Sequence, residues 1–393
     1  MSLPARITDA ISQLRKQPSP ICAYVYDLVA LERHIQTIRE SLPANCELFY
    51  AAKANPEAQI LQTLVPFVDG FEAASGGELR WLHQQCPGTP LIFGGPGKLE
   101  SELETAMEYQ ISAFHVESVN ELRSLAQIAA RCGRKAPVML RLNLTLDEAP
   151  DSRLVMGGKA TPFGLDEFAL DEALALLRDE PWLAFQGLHF HLLSHQLDVD
   201  AHLRLIRSYF RTFHKLCLEH RLLLPMINVG GGMGINYQDH HRSFDWPGFC
   251  TKLSALIIEE DMATTQIRFE IGRFISAACG YYLMQVLDIK RNHGQYFAIG
   301  RGGTHHFRTP AAQNHNHPFD VIRGHQPAEI VNQPVTLVGQ LCTPKDVLAK
   351  QQPVTELAVG DILVFTLAGA YAWNISHRDF LMHEPPQMVF LKQ

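Results

Sequence analysis

Phe49-Tyr50-Ala51-Ala52-Lys53-Ala54-Asn55-Pro56 is the stretch that decides the fold. A largely apolar run, residues 47–52, delivers a lysine at its end, just before a helix-breaking Asn-Pro. Lysines usually stay solvated because the ammonium is costly to desolvate. One that emerges from a buried strand is either an amine kept available for carbonyl chemistry or a side chain snorkelling at a strand end. These eight residues leave both readings open. The rest of the chain separates them.

Around that stretch the sequence alternates. Strand-like runs fall at residues 47–53, 68–73, 90–93, 111–116, 137–143, 186–192, 226–229 and 267–271. Helical patterns lie between them at 58–64, 78–85, 99–108, 119–131, 167–178, 201–220 and 246–260. Eight such units in about 240 residues match a (β/α)8 TIM barrel, whereas an open doubly wound sheet usually has fewer strands. Before the barrel, residues 21–26 read as a strand, and Asp27 as the N-cap of a helix over 28–42. From Ala278 the texture changes: runs at 281–289, 296–299, 335–341 and 362–367 are strand-like, with no helical pattern between them. The expected α/β architecture is therefore a barrel over 27–271 and a C-terminal β-barrel-like domain over 272–393, joined by a strand from 1–26. Residues 301–325, rich in Gly, His, Asn and Pro, read as a long ordered loop.

Composition narrows the function. Apolar residues are 46% of the chain and charged residues 19%, so a sizeable core is expected. A net charge of −7 offers no basic footprint for nucleic acid or anionic membrane. The eight cysteines contain no Cys-x-x-Cys pair, which argues against a disulfide framework or zinc knuckle. Residues 1–20 hold no apolar signal core, and no run reaches transmembrane length. A cytoplasmic enzyme is expected. Nineteen histidines raise a metal reading, with His189 and His191 on one strand face and His305, His306, His315 and His317 in the loop. No recognised ligand spacing accompanies them, so no metal site is expected.

Barrel enzymes place reactive groups at the C-terminal ends of their strands. Here those ends carry Lys53, then Glu72 with the small-residue turn 73–77, Arg141, the run His189-Phe190-His191-Leu192-Leu193-Ser194-His195, the triplet Gly230-Gly231-Gly232, and Glu270-Ile271-Gly272-Arg273. Consecutive glycines let backbone N–H groups approach an anion, and phosphate sites recur after the last strands of such barrels. One glycine turn is weak evidence. Two on adjacent strands, facing a lysine and a histidine, are not.

These residues resemble the fold-type III pyridoxal-phosphate decarboxylases, the group of diaminopimelate, ornithine and arginine decarboxylases. The resemblance spans nearly the whole chain: residues 50–55, Ala74-Ser75-Gly76-Gly77-Glu78-Leu79, His191-x-x-Ser194, residues 230–232, Glu270-x-Gly272-Arg273, Gly339-Gln340-Leu341-Cys342 and Gly369-Ala370-Tyr371. It implies that Lys53 carries pyridoxal phosphate as a Schiff base, that His191 stacks on the ring and that Glu270 pairs with the protonated ring nitrogen. It implies a phosphate site of Ser194, Gly232, Gly272, Arg273 and Tyr371, with Glu72, Arg141 and Gly231 also at the cofactor. By the same resemblance the enzyme is a head-to-tail homodimer with shared active sites, and Cys342 reaches the partner's site. A thiol there is a usable acid for reprotonating the carbanion left by CO2 loss. Most intracellular cysteines are simply small buried apolar residues.

The departures bear on substrate. Diaminopimelate decarboxylases resemble one another in a Cys-Glu-Ser stretch whose glutamate meets a distal ammonium; here Thr343, Pro344 and Lys345 follow Cys342. Ile271 replaces a usual proline, and Glu72 a common aspartate. Residues 189–198, 301–307, 315–319, 342–346 and Asn374-Ile375-Ser376-His377 are similar instead to decarboxylases of siderophore biosynthesis, which act on diaminopropionate- or diaminobutyrate-type amino acids, free or coupled to citrate. The implied substrate-binding set is His195, His305, His306, Arg308, Thr343, Lys345 and Asp346. The rival readings are a lysine-pathway diaminopimelate decarboxylase, a racemase, and a non-enzymatic regulator. Pro56-Glu57 departs from the racemase continuation, and a regulator of this descent loses the cofactor ligands that this chain keeps.

Overall fold

The computed structural model describes residues 3–143, 154–155, 157–239 and 242–392. The chain forms two compact units: residues 34–235 with 243–274, and residues 1–33 with 236–242 and 275–393.

The first unit is a closed barrel of eight parallel strands, in chain order Cys46–Ala51, Gly70–Ala73, Leu91–Phe93, Ala113–Val116, Ala136–Leu142, Leu183–Phe190, Met226–Gly230 and Gln266–Ile271. The last strand pairs with the first, Glu270 opposite Phe49, and closes the ring. The strands are buried nearly throughout, as parallel strands covered by helices must be. Phe49, Ile92, Ala113 and Met139 pack together inside it, with Met226 against them. Burying one such side chain contributes roughly 1.5–3 kcal/mol. That packed interior leaves strand ends as the place for polar groups.

Serine N-caps hold the turns after the second and fourth strands, each backed by the glutamate three residues on, which accepts the amide just before the cap. Ser75 Oγ accepts the Glu78 amide at 3.1 Å while Glu78 accepts the Ala74 amide at 2.7 Å. Ser118 and Glu121 repeat the arrangement, at 3.1 and 3.0 Å.

The second unit is built on an eight-stranded sheet in which Gly280–Asn292 is the long central strand. The expected N-terminal strand belongs to this unit. Cys22–Asp27 runs antiparallel to Gly280–Asn292 and parallel to Gln387–Leu391. Asp27 Oδ1 accepts the amides of Val29 and Ala30, both at 3.1 Å, and so caps the following helix. A helix at Ala5–Leu14 was not anticipated; its signal is Ile7, Ala10, Ile11 and Leu14, one buried face at helical spacing. The expected long loop contains a short helix, Thr309–Gln313, started by Pro310, and a strand, Phe319–Ile322, paired to Ile362–Phe365. Residues 236–239 belong with this unit, where the Tyr237 ring packs on His315 and His317, at 4.8 and 5.1 Å between centroids.

Among the described residues no helix is long and apolar enough to cross a membrane.

Candidate active site

Lys53 sits in the one-turn 3-10 helix Ala52–Ala54 that ends the first barrel strand. Its Nζ donates to both oxygens of Glu72, at 2.9 Å each. The lysine side chain is 44% exposed and the glutamate 4%, so the amine opens to solvent while its counter-ion is buried. Gly272 keeps this turn close: a methyl there would press on Ala54 Cβ at 2.9 Å.

On the last two barrel strands, beside the first, Asn228 Nδ2 donates to Glu270 Oε1 at 2.6 Å. His115 Nδ1 lies 3.3 Å from the same oxygen, and His189 Nε2 lies 3.8 Å from Oε2. Burial, then repulsion from Glu72, pushes the Glu270 carboxyl up to about 7, against the pull of Lys53, Asn228 and Arg141. Burial, reinforced by nearby cations, holds His115, His189 and His191 well below the usual histidine range. All three are therefore neutral imidazoles at pH 7.

The glycine triplet works by close approach. Gly230 has φ 67°, and a methyl on it would overlap the His191 ring. A methyl on Gly231 would overlap the Glu270 carbonyl oxygen. The Gly231 amide points to His191 Nδ1 at 3.4 Å, and His191 Nε2 lies 3.5 Å from Ser194 Oγ. That pattern places the imidazole proton on Nε2. Two backbone bonds of 2.8 Å, Gln196 N to Gly232 O and Gly234 N to Gln196 O, tie Gln196 to the end of the triplet and the turn after it. His195 beside them has left-handed backbone, φ 65°.

Arg141 donates to Glu117 Oε1 at 3.0 Å, with its guanidinium 4.9 Å from the Phe163 ring centre. Glu117 in turn accepts the Gly95 and Gly164 amides. Buried Lys98 donates to the Gly95 and His115 carbonyls and to Glu121 Oε1, at 2.7, 2.7 and 2.6 Å. Sequence reasoning missed His115, Glu117, Lys98 and Asn228 as members of the site. His115 and Glu117 stand at the end of the fourth strand, so inspecting every strand end would have found them.

In the second unit Thr343, Lys345 and Arg308 line one cleft of about 880 Å³. His315, Lys350 and His377 line it too, and no carboxylate does among the described residues. Cys342 is exposed and carries no disulfide. His305 and His306 are fully buried, their ring centres 3.8 Å apart, and neither lines the cleft. Asp346 is buried as well: its oxygens accept the Thr304 and Leu341 amides at 2.6 and 2.8 Å, so it shapes the loops flanking the cleft. Tyr371 has φ 49° and accepts a bond from Thr309 Oγ1.

Residues 28–277 match the family described as pyridoxal-dependent decarboxylase, pyridoxal binding domain. The chain is 42% identical over 393 residues to the 2-[(L-alanin-3-ylcarbamoyl)methyl]-2-hydroxybutanedioate decarboxylase of Staphylococcus aureus, covering 98% of each. It is 28% identical over 365 residues to the diaminopimelate decarboxylase of Bacteroides thetaiotaomicron, covering 92% of each. Diaminopimelate decarboxylase from Helicobacter pylori, solved in complex with L-lysine, superposes with a TM-score of 0.85 at 25% identity, over 97% of this chain and 94% of that one.

The side chains present fit pyridoxal phosphate. An accessible amine suits its aldehyde, and a buried carboxylate suits a protonated ring nitrogen. Arg141 Nη2 and both ring nitrogens of His189 are buried with no hydrogen-bond partner, as expected of groups awaiting a polar ligand.

Proposed function

This chain belongs to the pyridoxal-dependent decarboxylases, and we propose that its substrate is a diamino acid joined by an amide to citrate, from which it removes the α-carboxylate. The observation that carries this reading is the cleft bearing Arg308, Lys345, Lys350, His315 and His377, with no carboxylate among the described residues that line it. A polycarboxylate end suits such a surface, and the distal ammonium of diaminopimelate does not. The staphylococcal relative supports it, since its named substrate carries an amino acid at one end and a hydroxy-dicarboxylate at the other. The proposed setting is siderophore biosynthesis in the cytoplasm.

Bound pyridoxal phosphate supplies an electron sink for the charge left on Cα when CO2 departs. Lys53 would hold it covalently, Glu270 would hold its ring nitrogen, and His191 would lie against the ring. Ser194, Gly232, Gly272 and Arg273 would surround the phosphate, with Gly231, Glu72 and Arg141 beside the cofactor. Glu72 keeps Lys53 oriented by its paired bonds. The Glu270 side chain is only 8% exposed, and having so little water around it strengthens the charge interactions there. Cys342, exposed on the second unit, would donate the returning proton at Cα in the partner's site of a head-to-tail homodimer.

The test is steady-state kinetics with citryl-diaminopropionate, free diaminopropionate and meso-diaminopimelate on wild type, Lys345→Glu and Lys350→Glu. The conjugate should have the highest kcat/KM. Each reversal should raise its KM by roughly five- to tenfold, about 1 kcal/mol per exposed ion pair, with Tm unchanged. Should meso-diaminopimelate prove the best substrate, the citryl reading falls and the decarboxylase chemistry stands.

A further inference from the structure

Beneath Glu270 lies a polar network for which the roles above have no use. Asn228 Oδ1 accepts the Gly230 amide at 2.8 Å, which fixes which end of the side-chain amide is nitrogen. Its NH2 group then faces two acceptors: Glu270 Oε1 at 2.6 Å and His115 Nε2 at 3.3 Å. A nitrogen facing a donor must be the unprotonated one, so the His115 proton sits on Nδ1. That atom lies 3.3 Å from Glu270 Oε1 without hydrogen-bond geometry to it, and no hydrogen-bond partner reaches it.

We propose that Asn228 and His115 are positioning residues: Asn228 donates to Glu270 Oε1, and His115 accepts from the same Asn228 amide and sets its neutral Nδ1 3.3 Å from that oxygen, so that the carboxylate stays aimed for the cofactor's ring nitrogen. This rests on the decarboxylase reading, because it assigns Glu270 to that nitrogen. Neutrality matters. A cationic imidazole would compensate the Glu270 charge and weaken its hold on a ring-nitrogen proton. Burial, with Arg268, Lys98 and Arg141 nearby, keeps His115 uncharged.

A metal site is the competing assignment, since ligand atoms of His115, His189 and Glu270 all lie within 4.8 Å of one another. The network has the wrong polarity for it. A metal bound at His115 Nδ1 would place the ring proton on Nε2, which needs an acceptor. Nε2 instead meets the Asn228 NH2 group, whose orientation the Gly230 amide sets.

The test compares the affinity of cofactor-free enzyme for pyridoxal phosphate and for its 1-deaza analogue, which carries C–H in place of the ring nitrogen. The ratio of the two affinities reads the Glu270 contact alone. His115→Phe and Asn228→Leu should each lower the ratio about tenfold. His115→Asn, whose amide nitrogen replaces Nδ1–H, should keep it within about twofold. Circular dichroism and melting establish folding, and Asn228→Ser carries the same test if a larger substitution does not fold. An unchanged ratio in the folded variants overturns the proposal while leaving the decarboxylase reading intact. A wild-type enzyme that binds neither compound, or shows no preference between them, overturns the assignment of Glu270 itself. A visible Co2+ absorption band in the cofactor-free enzyme, lost in His115→Phe, would overturn the proposal in favour of a metal site.

Discussion

The ammonium of Lys53 rests on both carboxylate oxygens of Glu72, 2.9 Å from each, with the amine facing solvent and the carboxylate buried. The pair orients the amine without enclosing it. Its two members respond differently to substitution.

Lys53→Ala should abolish turnover and the visible absorbance of bound cofactor, and should leave Glu72 buried without its counter-ion. The expected destabilisation is about 1–2 kcal/mol, below that of a fully buried pair because the lysine is partly solvated. Lys53→Arg keeps the ion pair, so it should melt close to wild type and still be inactive. Borohydride reduction followed by mass measurement checks the covalent link. A Lys53→Arg protein that traps cofactor on residue 53, or a Lys53→Ala protein that stays active, would refute the role of the lysine.

Stability of the cofactor-free protein should depend on pH through Glu270. Its folded carboxyl is raised from 4.5 to about 7. Below about pH 4.5 both folded and unfolded chains hold the proton, and between 4.5 and 7 only the folded chain does. Stability therefore falls as pH rises across that window, by on the order of 3 kcal/mol, and changes no further above it. Glu270→Gln should flatten this slope and melt higher than wild type at pH 8, while binding pyridoxal phosphate more weakly. Urea titrations at pH 5 and pH 8 on both proteins measure it. Equal slopes would show that Glu270 is not the group responsible.

Gly231→Ala should destabilise by roughly 1–3 kcal/mol, because its methyl meets the backbone oxygen of Glu270, which no rotamer change can move aside. Gly77→Ala is the control. Gly77 is exposed in a helix, and its nearest contact for a methyl is 3.6 Å away. That substitution should be neutral or stabilising by about 0.5–1 kcal/mol. Denaturant unfolding of the two variants should order them accordingly; similar values would mean that the Gly231 backbone has room to shift.

If Cys342 serves the partner's site, Lys53→Ala and Cys342→Ala proteins should complement each other. Random exchange makes half the dimers mixed, each with one intact site of two, so about a quarter of wild-type activity should return. Light scattering or native mass measurement establishes the dimer and its exchange. No recovery after demonstrated exchange would place both residues in the site of a single chain.

The eight barrel strands and the position of Lys53, Glu72, His191 and Glu270 at their ends were legible from residue order, because strand alternation and chain punctuation are local properties. The N-cap at Asp27 was equally local. Contacts between distant residues could not be read that way. Asn228 and His115 stand 113 residues apart, and only closure of the barrel turns both toward Glu270. The loop histidines show the same limit from the other side. The resemblance marks His305 and His306 as groups for a substrate, but ring packing buries them, while Lys350 and His377, from separate stretches, come to line the cleft with Lys345. Asp346 followed them inward, because a buried carboxylate between the Thr304 and Leu341 amides satisfies donors that the folded loops would otherwise leave unpaired. Sequence determined which groups stand at the strand ends; packing decided which of the remaining polar groups reach solvent and which support others from beneath.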